Sequence, residues 1–132
     1  MNKIKIDPQE VYVWLAFPDG WHKYAGHIIT IQGIKFSVIT MPSKANDGFE
    51  LVFSSLESGS KFRAVPINIL EVLACDTKEK TLVQYAESAV EVMAAIDKFG
   101  KKKVLDVIKK AAIENKRKFG EMPEFEKIEF FS

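Results

Sequence analysis

Apolar and polar positions change their period near residue 75, and that change divides the chain. Before it, short apolar or alternating runs are separated by turn residues, the pattern of strands. Val11 to Phe17 (VYVWLAF) is a continuous apolar and aromatic run of strand length. Pro18-Asp19-Gly20 follows as a turn: proline presets φ, aspartate bonds nearby backbone, and glycine takes the left-handed position. Trp21 to Ile31 is the returning strand, with Gly26 as a candidate bulge. Gly33 marks the next bend. Ile34 to Met41 (IKFSVITM) alternates as a strand buried on one side, with Phe36, Val38 and Thr40 sharing a face, and Pro42 closes it. Asn46-Asp47-Gly48 is a second turn signal. Phe49 to Ser54 and Lys61 to Val65 read as a fourth and a fifth strand around Ser58-Gly59-Ser60, and Pro66 ends the last one or places it at an edge. Strands joined by short connections form an antiparallel meander, and one face of such a sheet needs a cover.

Beyond residue 75 the period is helical. Ile67 to Cys75 (INILEVLAC) reads equally as a short helix or a sixth strand. Asp76 and Glu79 have capping-box spacing. From Thr77 to Phe99, the residues Leu82, Ala86, Ala89, Val90, Met93 and Ile96 form the stripe expected to cover the sheet. Glu79, Glu87, Glu91 and Asp97 make the polar face acidic. A second helix lies within Lys98 to Phe119, bounded by Gly100 and by Gly120 with Pro123 beyond. In it Lys102, Lys109 and Lys116 recur every seven residues, as do Lys103, Lys110 and Arg117, giving two neighbouring basic rows. Val104, Leu105, Val107, Ile108, Ala111 and Ala112 fill the other side. Folded back through Phe99-Gly100, the two helices make an αα-hairpin. Its acidic and basic faces then attract each other, within the hairpin or across a dimer.

Charge sharpens this picture. Lys98 to Lys118 holds nine basic and two acidic residues, a net +7, while the whole chain of 132 residues is only +1; the rest therefore sums to −6. Opposite fields on one small protein orient it on a charged partner. The plainer alternative is a solvated helix face. Glu121 to Ser132 (EMPEFEKIEFFS) is acidic, at −3, yet carries Phe125, Ile128, Phe130 and Phe131, so it is an edge strand, a core anchor or a docking segment. The 47% hydrophobic content supports one core without staples. The lone Cys75 excludes an intramolecular disulfide and a Cys-based metal site. MNKIKIDPQE lacks the apolar core of a signal peptide, and no apolar run approaches the roughly 20 residues of a membrane span. A cytoplasmic protein with no membrane role is expected.

Other candidate chemistry is sparse. Trp14, Phe17, Trp21 and Tyr24 cluster around one hairpin. Such aromatics stack on unpaired bases, at about 1–3 kcal/mol each, or they form core and cross-strand pairs. With only Lys23 nearby, the second reading is favoured. His22 and His27, the only histidines, fall on opposite faces of a strand and read as surface or hairpin residues, not metal ligands. Asp19 and His22 resemble half of a catalytic pair, but no partnered nucleophile is indicated. Cys75 precedes a helix N-terminus, which lowers a thiol pKa, whereas its neighbours Leu73 and Ala74 favour a buried, inert thiol. No phosphate-loop, dinucleotide or zinc-protease motif is present. No enzymatic activity, cofactor or metal is expected.

Met41-Pro42-Ser43-Lys44, then Asp47-Gly48-Phe49, Phe62-Arg63 and Pro66-Ile67-Asn68, resemble the stage V sporulation protein G (SpoVG) family over about residues 33–85. Ala45 replaces a basic residue of that family, the interval from Gly48 to Phe62 is longer, and two C-terminal helices replace one short one. The resemblance implies a small dimeric nucleic-acid-binding regulator with a strand-rich body, in which Lys44 and Arg63 contact phosphate.

The expected fold is α+β: an antiparallel β-meander of four to six strands followed by two C-terminal α-helices. Residues 1–132 form a single domain, with a sheet over 1–75, a helical pair over 76–119 and an acidic aromatic tail over 120–132. The expected function is that of a non-enzymatic nucleic-acid-associated regulatory or accessory protein, a homo-oligomer and specifically a dimer. Lys102, Lys103, Lys109, Lys110, Lys116 and Arg117 contact the phosphate backbone, with Lys44 and Arg63 secondary. Asp106 and Ile113 interrupt the basic face, so backbone tracking is expected over deep groove insertion. The rival reading is a protein-interaction or self-assembly module with no nucleic-acid role.

Overall fold

In the computed structural model, which describes residues 3–43 and 48–128, strands and helices follow in the order β1 (Ile4–Ile6), β2 (Val11–Phe17), β3 (Gly20–Ile31), β4 (Ile34–Pro42), β5 (Phe49–Ser55), β6 (Lys61–Ile67), α1 (Ile69–Ala74), α2 (Lys78–Phe99), α3 (Lys101–Phe119) and β7 (Glu126–Lys127). The fold is α+β, a sheet followed by two long helices. The sheet is antiparallel throughout, in the order β6-β5-β4-β3-β2-β7, with β1 also on β3. Its seven strands exceed the four to six expected because β1 and β7 span three and two residues, too few to display a period.

β3 serves different neighbours along its length. Gly20–Gly26 pairs with β2, and His27–Ile31 pairs with β4 while Ile29–Ile31 also pairs with β1. Gly26 sits at the change of partner. A Cβ there would lie 2.6 Å from both the Val38 carbonyl oxygen and Ile39 Cγ2. Gly26 is therefore a close-approach residue in an unbroken strand, not the expected bulge.

The change of partner gives the meander two buried faces. On one, Phe36, Val38, Leu51, Phe53 and Val65 pack against α2 and α3. On the other, Val11, Val13 and Leu15 of β2 close over Ile39 and Val52. The one-sided burial expected of Ile34 to Met41 is thus corrected: hairpin β2–β3 supplies a second cover. Beyond it, the Ala16 amide donates to the Gly59 carbonyl in the β5–β6 turn at 2.9 Å, which ties β2 to that turn. Each fully buried Val, Leu, Ile or Phe side chain stabilises by about 1.5–3 kcal/mol.

The ambiguous stretch Ile67 to Cys75 resolves as the short helix, not as a further strand. Ile67 ends β6, and Asn68 caps α1 in a capping box, its Oδ1 accepting from the Glu71 amide at 2.8 Å while Glu71 Oε1 accepts from the Asn68 amide at 3.3 Å. The box expected at Asp76 and Glu79 is absent. Thr77 caps α2 through the Lys80 amide at 3.1 Å, and Asp76 instead pairs with Lys80 Nζ at 2.9 Å. α2 buries Tyr85, Ser88, Ala89, Val92, Ala95 and Ile96. Val90, expected in that stripe, is 51% exposed, so the helix is rotated from the predicted face. Small side chains at 88, 89 and 95 let the backbone lie close to the sheet, and fit outweighs hydrophobicity in choosing the face.

Gly100 alone joins α2 to α3, at a φ of 89° that only glycine adopts without strain, and its amide donates to the Ile96 carbonyl at 2.8 Å. After α3 the chain returns as an edge strand. β7 pairs with β2, and the Ile128 amide donates to the Glu10 carbonyl at 2.9 Å. The other aromatics of the tail, Phe130 and Phe131, lie outside the described residues.

Candidate nucleic-acid interface

Four groups fix the rotation of α3. Val104 and Ile108 are buried in the core shared with α2. Asn115 Nδ2 donates to the Ser58 carbonyl and to Ser60 Oγ, each at 2.8 Å, which ties the helix to the β5–β6 turn. Phe119 meets Trp21 edge-on, with ring centroids 6.0 Å apart. These contacts turn Lys102, Lys103, Lys109, Lys110, Lys116 and Arg117 to the outside, and all six are exposed. Val107, expected on the apolar side, is 57% exposed instead, because the buried face is narrow and centred on Ile108.

At about 100° per residue, the Lys102–Lys109–Lys116 row and the Lys103–Lys110–Arg117 row lie about 100° apart around the axis. Exposed Asp106 and Ile113 fall between them. The first row follows the edge that carries Leu105. The second points further outward.

Among the described residues, ion pairs to the basic face form only at the C-terminal end of α3. Arg117 Nη2 lies 2.5 Å from Glu114 Oε1, Lys118 Nζ lies 3.6 Å from the same oxygen, and Lys116 Nζ lies 3.4 Å from Glu121. The hydrogen bond from Arg117 holds the Glu114 carboxyl below its ordinary pKa, and the same bond raises that of Arg117. Among the described residues, no carboxylate forms an ion pair within 4.0 Å with Lys102, Lys103, Lys109 or Lys110. The expected attraction between the α2 and α3 faces is likewise not made among them. Glu91 of α2 turns instead to Arg63 at 3.5 Å, and Asp97 accepts from Gln32 Nε2 at 2.8 Å. Arg63 thus sits on edge strand β6 against α2, in a hollow with Lys98 and Phe99, not in the α3 rows. Lys44 lies outside the described residues.

The hairpin aromatics are engaged by the chain itself. Trp14 Nε1 donates to the Glu124 carbonyl at 3.2 Å and Trp21 Nε1 to the Gly120 carbonyl at 3.3 Å. Phe17 and Tyr24, 5.9 Å apart, pack on the β2-side core. Lys23 Nζ stands 4.5 Å over the Tyr12 ring.

A feature the sequence did not disclose adjoins the first basic row. A recess of about 380 Å³ opens between the start of β4, the β5–β6 turn and α3, with Ile34, Leu56, Leu105 and Ile108 as its apolar lining. Exposed Lys35, Lys109, Glu57 and Phe125 also line it. Leu105, Ile108 and Lys109 carried a helical signal in the pattern, whereas Lys35 and Phe125 reach this place through tertiary folding.

The other candidates fall away from this flank. His27 is not a surface residue but is buried at the bend of β3, its ring 5.6 Å from that of Tyr85, and neither ring nitrogen has a hydrogen-bond partner among the described residues. Burial lowers its pKa from the ordinary 6.5. His22 at the start of β3 lies 2.7 Å from Asp19 in the β2–β3 turn, whose carboxyl pKa is lowered by that hydrogen bond, and both side chains are accessible. Among the described residues no three His, Cys, Asp or Glu side chains group as a metal site would require. Cys75 is partly exposed, against the expected burial, because Leu73 and Ala74 beside it face outward. No described helix is long and apolar enough to cross a membrane. No family model matches the chain, and neither a curated protein nor a solved structure matches it.

Proposed function

We propose that this chain is a non-enzymatic, nucleic-acid-associated accessory or regulatory protein that contacts the phosphate backbone through α3, and that it acts as a cytoplasmic homodimer. The observation that carries the reading is the exposure of Lys102, Lys103, Lys109 and Lys110 with no carboxylate pairing among the described residues. Cations held ready in this way release counterions from a polyanion when they bind it. The resemblance to the sporulation protein G family points the same way, with Arg63 and Lys44 as secondary contacts. Arg63 would first exchange its exposed partner Glu91 for phosphate, and exposed ion pairs are weak enough to exchange.

The test is fluorescence anisotropy at low salt with single- and double-stranded DNA and RNA. Binding should weaken as salt rises, with a log–log slope of about −0.7 to −0.9 for each phosphate neutralised. Charge reversal at Lys102 and Lys109 should flatten that slope. Absence of binding to all four nucleic acids at low salt refutes the proposal.

One observation favours a second reading, a self-assembly or partner-binding module. Leu70 and Leu73 on α1 are 73% and 68% exposed, on the outside of a short helix. Under this reading, a sizing column with light scattering detects an oligomer that Leu70→Ser with Leu73→Ser disperses, and nucleic-acid affinity is absent.

A further inference from the structure

The recess beside α3 bears on which form of nucleic acid the basic rows would take, a choice that rests on the phosphate-contact reading above. The two rows are not equivalent. The Lys102–Lys109–Lys116 row runs along the recess edge, with Lys109 itself in the lining, whereas the Lys103–Lys110–Arg117 row looks away from it. From Lys102 to Lys116 the row extends about 21 Å at 1.5 Å per residue. Lys35, on the opposite wall, adds a second cation at the mouth, and neither Lys35 nor Lys109 has an ion pair among the described residues. Phe125 is 39% exposed and turns part of its ring surface to the same space. Among the described residues, Glu57 is the one acidic side chain in the lining, opposite in charge to the two lysines.

A duplex offers phosphates to such a row but keeps its bases stacked and out of reach. A single strand offers phosphates and free ring faces together, and aromatic side chains beside a basic track bind it by stacking. A volume of about 380 Å³ with an apolar floor accommodates a flat heterocycle, and the cations stand at its mouth where the attached backbone would pass. We infer that the preferred ligand is a single-stranded nucleic acid whose backbone follows Lys102, Lys109 and Lys116 while one base enters the recess and stacks on Phe125. Stacking on a ring face is tolerant of base identity, so little sequence preference accompanies it.

The experiment compares a short oligothymidylate with a blunt duplex of the same length, by anisotropy at fixed low salt. Wild type should favour the single strand. Phe125→Leu keeps an apolar side chain but removes the ring face. It should weaken single-strand binding by roughly fivefold to a hundredfold, the range of one lost base stack, and leave the duplex unchanged. Phe125→Trp should retain affinity and add indole emission that the oligothymidylate quenches, which also reports a folded site. If Lys102→Glu with Lys109→Glu abolishes binding while single strand and duplex bind alike and Phe125→Leu changes neither, the single-strand inference is overturned and the phosphate-contact reading stands. If that double charge reversal leaves wild-type affinity for both ligands, or wild type binds neither, both fall.

Discussion

The Trp14 indole donates to the Glu124 carbonyl at 3.2 Å, joining residues 110 apart along the chain. With the parallel bond from Trp21 to Gly120, it lays the segment after α3 across the β2–β3 hairpin and leads it into β7. Trp14→Phe keeps an aromatic ring but loses the N–H donor together with the second ring. The expected cost is about 0.5–1.5 kcal/mol in urea denaturation, with faster amide exchange at residues 124–128. Unchanged exchange there would show that the indole does not hold the tail.

Gly26 is predicted to tolerate no side chain. In Gly26→Ala the new methyl meets the Val38 carbonyl oxygen and Ile39 Cγ2, and a backbone atom cannot swing aside as a flexible side-chain end can. Overpacking of this kind costs about 1–3 kcal/mol. A melting temperature equal to wild type would mean that β3 and β4 separate more easily than their packing indicates.

Valines two residues apart on α2 should behave differently. Val92 is fully buried, so Val92→Ala loses two methyl groups and leaves a void, at about 2 kcal/mol. Val90 is half exposed, and Val90→Ala should stay within about 0.5 kcal/mol. Equal costs in chemical denaturation would contradict the observed rotation of the helix.

Buried His27 is predicted to make stability pH-dependent. Glu10, Asp7 and Lys78 act on it electrostatically, and Tyr85 packs on its ring, but burial dominates and lowers its folded-state pKa below the ordinary 6.5. The unfolded chain therefore binds the proton more readily. The stabilising contribution is full above about pH 6.5 and declines as pH falls toward the depressed folded value. Melting temperature should be level above about pH 6.5 and fall as pH drops below it. His27→Phe removes two buried nitrogens that have no partner among the described residues, so its profile should be flatter below about pH 6.5, with stability at neutral pH equal to wild type or higher. A wild-type profile unchanged by the substitution would assign the pH dependence to other groups.

Glu114 is predicted to restrain the basic face. It pairs with both Arg117 and Lys118, so Glu114→Gln frees two cations in the last turn of α3. Affinity for nucleic acid should rise, and the salt slope should steepen by about 0.7–0.9 for each additional phosphate neutralised. Weaker binding would indicate that the carboxylate positions Arg117 for contact, and does not compete with phosphate for it.

Much of the body is legible in the sequence because its signals are local. Val11–Phe17 stands where its apolar run places it, and Pro18-Asp19 turns the chain into β3 as its residue types require. The seven-residue recurrence of lysines needs only a helix to become two rows. The α2 stripe departs from its pattern because periodicity gives a helix an apolar side without saying which small residues permit close approach. Val90 is as hydrophobic as Val92 by composition, and only the sheet beneath distinguishes them. His27 departs from its expected surface position for a related reason: alternation along β3 reports two faces but not that its flanking elements bury both at the bend.

By itself, the chain determined its strand-then-helix order, its turn at Pro18-Asp19 and its segregation of positive charge, since each depends on neighbours within a few residues; the turn expected at Asn46-Asp47-Gly48 lies largely outside the described residues. The tertiary structure decided which lysines lack a carboxylate partner among the described residues, that Trp14 and Trp21 engage the tail, and that Lys35, Lys109 and Phe125 line one recess. Those outcomes join segments tens of residues apart. They are set by the change of strand partner at Gly26 and the rotation of α3 on its core, and no local pattern encodes either.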